Sequence, residues 1–266
     1  MEHLELLTVP YLIIAALMTV FWLYQLQVKR ADIVDAGWAA GLGIFALYYA
    51  CYAEGDAGRR ATLGLLSGGW SLRLTFHLLA DRVLSPNEDG RYQALRQKWG
   101  NSSNVKFFFF FQAQAVLAAL LSITLLQVAV NKASFAGLSD IIGIALFVVG
   151  LVGESAADRQ LERFKRDPAN KGRTCRVGLW RYSRHPNYFF EWLHWCAYPF
   201  LAWPTPYWFL AISGPAIMLY LILKVTGIPP TEARALLTRG EDYREYQRTT
   251  SSFVPWFPAA GEAPQN

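Results

Sequence analysis

Seven long apolar blocks constrain this chain more than any single residue does. They run approximately over residues 10–28, 33–53, 61–80, 107–130, 138–157, 188–203 and 207–225. A bilayer core of ~30 Å takes ~20 helical residues to cross, and lipid offers an open strand edge no partner, so each block is expected to be a helix. Composition agrees, because 17% of the 266 residues are charged against about 25% in an ordinary soluble domain. Disorder is excluded and a water-soluble enzyme is disfavoured. The expected fold is an all-α integral membrane protein, one domain over 1–266 with seven transmembrane helices and a cytoplasmic tail at 226–266. The sixth block is short and rich in Trp, so its ends are the least defined. The first block carries Glu2 and Glu5 where a signal peptide has basic residues, and it lacks a small-residue cleavage site, so it is read as a retained helix.

Charge placement sets the orientation. Lys29 and Arg30, then Arg82, Arg91, Arg96, Lys98 and Lys106, then nine basic residues from Arg159 to Arg184, then five from Lys224 to Arg248 occupy alternate loops and the tail. Seven spans with the N-terminus outside place 21 of the 25 basic residues on the cytoplasmic side, as the positive-inside rule requires. Six or eight spans break that alternation. The net charge of +5 is therefore a topology signal, and with no basic stripe on a soluble module, nucleic-acid binding is not expected. Cys51, Cys175 and Cys196 are scattered and the chain has four histidines, so no metal site is expected. Neither a phosphate-cradling glycine loop nor a nucleophile elbow occurs, and any cofactor must be held by helices and cytoplasmic loops. No inverted repeat supports a transporter.

Ionisable groups at membrane depth are expensive and so mark candidate sites. Asp35 opens the second block, where it serves either a function or the helix dipole. Trp70, Arg73 and His77 share one helical face, expected to point into the bundle unless Arg73 snorkels to the boundary. Glu154 and Asp158, followed by Lys165, lie on a mixed-charge extension of the fifth block that also reads as a solvated amphipathic helix. The densest segment, GLWRYSRHPNYFFE at 178–191, gathers Arg181, Tyr182, Arg184, His185, Asn187, Tyr188 and Glu191. Pro186 suits a helix start, which sets Asn187 and Glu191 one turn apart. A membrane anchor explains the arginines, and a site for an anionic, hydrogen-bonding ligand explains the whole set. The segment 227–257, with Glu232 and an aromatic end at Trp256 and Phe257, reads as a polar helix with an interfacial anchor or as a solvated tail.

These residues carry a resemblance. GLWRYSRHPNYFFE with EDYREYQ (241–247) and FVPWF (253–257), together with ADIVDAGWAAG (31–41), GWSLRLTFHLL (69–79), GRYQALRQKWG (90–100) and ERFKRDPANKGR (162–173), resembles the steroid 5α-reductase-like membrane family. The likeness is to its bacterial branch, domain of unknown function 1295, and it covers almost the whole chain. The RHPNY element is shared more widely, since isoprenylcysteine carboxyl methyltransferases carry a similar one, usually with serine where Asn187 stands. Asn187 therefore favours NADPH over S-adenosylmethionine.

The resemblance implies an NADPH-dependent oxidoreductase that delivers a hydride to the β-carbon and a proton to the α-carbon of a lipophilic enone of the 3-oxo-Δ4 steroid kind. The substrate would enter from the bilayer, and the enzyme would be a monomer in a bacterial inner membrane with its cofactor on the cytoplasmic side. The alternative is an S-adenosylmethionine-dependent membrane methyltransferase, with a transporter or lipid-binding protein third. Carried over by position, Asn187, Tyr188 and Glu191 fall on the cofactor motif, Asp158, Lys165 and Arg176 on flanking cofactor positions, and Glu232 near the nicotinamide end. Arg184 and His185 join this set, and Arg73, His77 and Arg82 match it loosely. Eukaryotic members hold the ketone with a Gln-Glu pair and a tyrosine. This chain has Asp32 and Asp35 near the first position and Trp70 at the second, so Asp35 and Trp70 are the candidate catalytic residues.

Overall fold

The computed structural model describes residues 3–259, and no strand occurs among them. Residues 1–2, with Glu2, and 260–266 at the end of the expected tail lie outside the described residues. The helices are α1 (His3–Val28), α2 (Ile33–Tyr52), α3 (Ala57–Leu78), α4 (Gly90–Trp99), α5 (Ser103–Ala129), α6 (Leu138–Arg166), α7 (Pro186–Trp195), α8 (Ala197–Ala202), α9 (Ser213–Tyr220), α10 (Ile228–Arg239) and α11 (Glu241–Thr249). They divide between two compact units, Met1–Ile141 with Tyr198–Gly214, and Ile142–Ala197 with Pro215–Asn266.

Five stretches are long and apolar enough to cross a bilayer: Leu4–Val28, Ile33–Tyr52, Gly90–Ala129, Leu138–Arg166 and Trp208–Arg239. Their outward faces carry exposed Leu12, Val20, Phe109, Val148 and Val152, side chains that lipid accepts and water does not. The chain is a membrane protein on this evidence. The other two expected spans differ from these. α3 has the length but carries Arg59, Arg60, Arg73 and His77. The expected 188–203 helix is broken into α7 and α8, of 10 and 6 residues. Pro199 explains the break, because a proline ring clashes with the carbonyl four residues back, here Trp195, the last residue of α7.

In the first unit α2 packs against α1, α3 and α5, and its small residues make that possible. A Cβ on Gly37 would stand 2.8 Å from the Phe21 ring, one on Gly41 3.3 Å from Ile14, and one on Gly43 2.3 Å from Ser71 Oγ. Gly37 and Gly41 face α1 at the four-residue interval that lets membrane helices approach closely. At the opposite face Ser71 Oγ donates to the Ala39 carbonyl at 2.6 Å. In the first turn of α3, Arg59 forks onto Asp140, in the first turn of α6, at 2.5 and 3.0 Å and donates to the Leu201 and Ala133 carbonyls. Arg59 is 2% exposed and Asp140 fully buried, so two helix starts far apart in sequence are tied by a desolvated ion pair.

The second unit is built on α6. Its Gly150 and Gly153 lie against α7, where a Cβ would meet His194 N at 2.7 Å and the Phe190 ring at 2.3 Å. Phe147 meets the His194 ring edge-on at 5.2 Å. Past the membrane stretch, Gln160 Oε1 accepts from Leu179 N at 2.8 Å and Trp180 Nε1 donates to the Ala157 carbonyl at 2.9 Å. These bonds fix the polar end of α6 to the loop that enters α7.

Candidate functional site

In the second unit the carboxylate of Glu232, on the first turns of α10, gathers the donors of the Arg184–His185 pair. Its Oε1 accepts from Arg184 Nε at 2.7 Å and His185 Nε2 at 3.2 Å, with Tyr243 OH at 3.4 Å, and its Oε2 accepts from Gln247 Nε2 at 2.7 Å. Arg184 also donates to the Gln247 and Thr250 carbonyls at 3.0 and 2.5 Å. The His185 ring stacks on Tyr188 at 5.3 Å and 4° between planes, and Tyr188 OH meets Thr231 Oγ1 at 3.2 Å. One residue before Tyr188, Asn187 Nδ2 donates to Asp158 Oδ1 at 3.2 Å across to α6.

The local sequence explains this assembly. Pro186 starts α7 and leaves His185 just outside it as the N-cap, at φ −139° and ψ 58°. The segment after α11 then closes over the loop. Arg184 N donates to the Ser251 carbonyl at 2.8 Å, Ser183 Oγ to the Phe253 carbonyl at 2.8 Å, and Trp256 N to the Tyr182 carbonyl at 2.9 Å. Phe253 meets Phe189 and Trp192 edge-on at 5.7 and 5.8 Å. The segment 227–257, expected as one polar helix with an interfacial anchor or as a solvated tail, forms instead two helices, α10 and α11, with a docked end.

Burial lowers the His185 pKa, and the hydrogen bond and charge of Glu232 do not restore it. The imidazole is therefore neutral at pH 7, with Nε2 carrying the proton toward the carboxylate. Burial and the Glu232 charge raise the Tyr243 pKa and keep that phenol a donor. Such a cluster holds a neutral imidazole and an amide side chain in fixed orientation. Asn187 keeps its Oδ1 acceptor and a second N–H for a ligand.

The first unit holds a separate polar cluster. Asp35, in the first turn of α2, receives Arg82, Arg91 Nη2 at 2.8 Å, and Tyr92 OH at 2.6 Å. Asp32, 1% exposed, accepts from Arg30 at 2.8 Å and from Asp89 N at 3.2 Å. Burial alone would raise the Asp89 carboxyl pKa, but the Arg91 and Arg82 charges and the bonds from Arg91 outweigh it and hold the group low. The two aspartates of ADIVDAG thus pin the 82–92 segment to the start of α2.

Several expected assignments fall elsewhere. Arg176 is turned onto Asp242 and Glu245, each at 3.0 Å, and Arg184 onto Glu232, so neither guanidinium is directed at open space. Arg82 stands with Asp35. Trp70 is buried in α3, Arg73 is half-buried and His77 is exposed, so their common face opens toward its C-terminal end instead of staying inside the bundle. Lys165 is exposed at the last turn of α6, and Glu191 is half-buried one turn after Asn187. Arg91, Tyr92, Tyr243 and Gln247 were not singled out by the sequence. The one available signal was the pairing of Tyr243 with Tyr246 and Gln247 on a single face of a charged helix.

An all-helical membrane protein with a hydrogen-bonded Arg-His-Pro-Asn-Tyr site at a helix entrance is the class these features define. The chain belongs to the family described as protein of unknown function (DUF1295), whose model matches residues 21–250. It is also 27% identical over 268 residues to an uncharacterized protein of Schizosaccharomyces pombe, covering 89% of this chain and 76% of that protein. No solved structure matches it.

Proposed function

We propose that this chain is a seven-span reductase, N-terminus outside, that uses NADPH to saturate the C=C bond of a lipophilic enone such as a 3-oxo-Δ4 steroid. The observation that carries the reading is the Asn187 amide held by Asp158 beside the Arg184–His185–Glu232 cluster. Its donor set fits a nicotinamide carboxamide, because Asn187 Oδ1 can accept from the amide N–H₂ and its remaining N–H can donate to the amide oxygen. NADPH, when bound, supplies the hydride. The protein's part is orientation: Tyr188 and His185 present a stacked aromatic edge, while Glu232 fixes Arg184 and His185 and Asp158 fixes Asn187. Glu191, one turn beyond Asn187, lines the same helix face.

For the substrate carbonyl we assign the Asp35 cluster together with Trp70. Negative charge develops on that oxygen when the enone is reduced, and a preorganised donor stabilises it. Tyr92 supplies a phenol that the indole of Trp70 cannot replace, since a phenol can also transfer a proton. Arg82 and Arg91 hold the Asp35 carboxylate in place beside Tyr92.

Purified protein tests the reading by what it binds. Wild type is expected to bind NADPH and not S-adenosylmethionine, and Asn187→Ala is expected to lose NADPH while keeping its thermal unfolding profile. Binding of S-adenosylmethionine alone, or an Asn187→Ala variant with unchanged NADPH affinity, overturns it.

A further inference from the structure

The second unit has a second polar feature, away from Glu232. A half-open cavity of about 140 Å³ is lined by Lys165, Lys171, Arg173 and Arg239 over a floor that includes Leu161 and Phe164. No Asp or Glu lines it, and among the described residues none of the four cations has a carboxylate partner. Arg166, beside them, is by contrast taken by Glu162 at 2.6 Å. The four come from the last turn of α6, the loop after it and the last turn of α10. The loop is held in shape, since Asp167 Oδ1 accepts from Ala169 N at 2.9 Å, Asn170 Nδ2 donates to the Phe164 carbonyl at 3.0 Å, and Gly172 turns the chain at a φ of +80°.

Helix C-termini and cytoplasmic loops attract cations in general. That preference does not account for a cavity lined by three cations of the 165–173 stretch and a fourth, Arg239, brought in from α10, where they repel one another unless an anion offsets them. A carboxylate or a phosphodiester brings one charge. A phosphate monoester brings close to two, on three terminal oxygens, and so uses several donors at once. The position is also informative. Lys165 follows Asp158 by seven residues on α6, and Arg239 follows Glu232 by seven on α10, so the cavity lies about 10 Å along both helices from the Asn187 and Glu232 cluster.

We propose that the cavity bounded by Lys165, Lys171, Arg173 and Arg239 is a binding site for a phosphate monoester. Two sources present that group here: the 2′-phosphate of NADP, in which case the inference deepens the reductase reading, and the headgroup of phosphatidic acid, in which case it stands apart from that reading.

The full chain in detergent, and in vesicles of phosphatidylcholine doped with phosphatidic acid or with phosphatidylglycerol, separates these. Binding is measured for NADP⁺, NAD⁺ and each lipid, with the surface variants Lys171→Gln/Arg173→Gln and Arg239→Gln. At least a ten-fold preference for NADP⁺ over NAD⁺ that both variants abolish supports the dinucleotide source. A preference for phosphatidic acid over phosphatidylglycerol that both variants abolish supports the lipid source. If neither nucleotide binds, the reductase reading fails and the lipid arm alone decides the cavity. The proposal is overturned if no monoester is preferred over its diester counterpart, or if every such preference survives both variants.

Discussion

At the scale of single residues, Glu232 is the hub, because one carboxylate satisfies Arg184, His185 and Gln247. Glu232→Gln keeps the shape and removes the charge, leaving Arg184 half-buried without its counter-ion. Hydrogen bonds to charged groups contribute about 1.5–3 kcal/mol, so a loss of about 2 kcal/mol is expected, read as a lower Tm in detergent. His185 adds a pH dependence. Its pKa is lowered in the folded state by burial, so below the ordinary imidazole value of about 6.5 the unfolded chain takes up the proton first. The stability it contributes is complete above that value and is lost as pH falls through it toward the folded pKa. A wild-type Tm that declines across this window, with a shallower decline in His185→Gln, is the expected pattern. Asn187, Asp158 and Glu232 were legible because the RHPNY element and the acids around it stand out against apolar sequence. The anchoring of Arg184 and Arg176 by carboxylates was not, since their partners lie 48 and 66 residues away and spacing carries no sign of them.

Elements obey the same division. Long apolar runs gave α1, α2, α5 and α6 close to their observed extents, because a bilayer-length run of apolar residues has one stable conformation in lipid. The break between α7 and α8 and the polar helix α4 were missed, the first resting on one proline and the second lying in a charged loop with no hydrophobic period. Close approach of α6 and α7 rests on Gly150 and Gly153. Gly153→Val drives a branched side chain into the Phe190 ring, and overpacking of this kind costs about 1–3 kcal/mol. We expect a Tm drop for Gly153→Val, while Gly69→Ala, where a Cβ meets nothing within 4 Å, leaves Tm unchanged or raises it.

For the whole molecule, the uneven placement of basic residues is plain in the sequence, whereas the buried Arg59–Asp140 pair is not. Arg59 read as one of a few stray charges in the expected outer loops. The fold gives it a bidentate carboxylate and two carbonyls. Removing one partner of such a pair costs about 3–5 kcal/mol, so Arg59→Met is expected to unfold at a much lower temperature. Arg59→Lys is expected to recover little, because an ammonium cannot fork onto both oxygens.

The central claim concerns the reaction, and turnover tests it most directly. Purified protein is given NADPH and a panel of steroid and non-steroid enones, and cofactor oxidation is followed beside the mass of the product. Oxidation is expected to be matched mole for mole by a saturated ketone from at least one lipophilic enone, with Tyr92→Phe slower by about a hundred-fold as expected for loss of an oxyanion donor, and Asp35→Ala slower through loss of the carboxylate that positions Tyr92. Bound NADPH with no enone reduced, or full turnover in both variants, contradicts it.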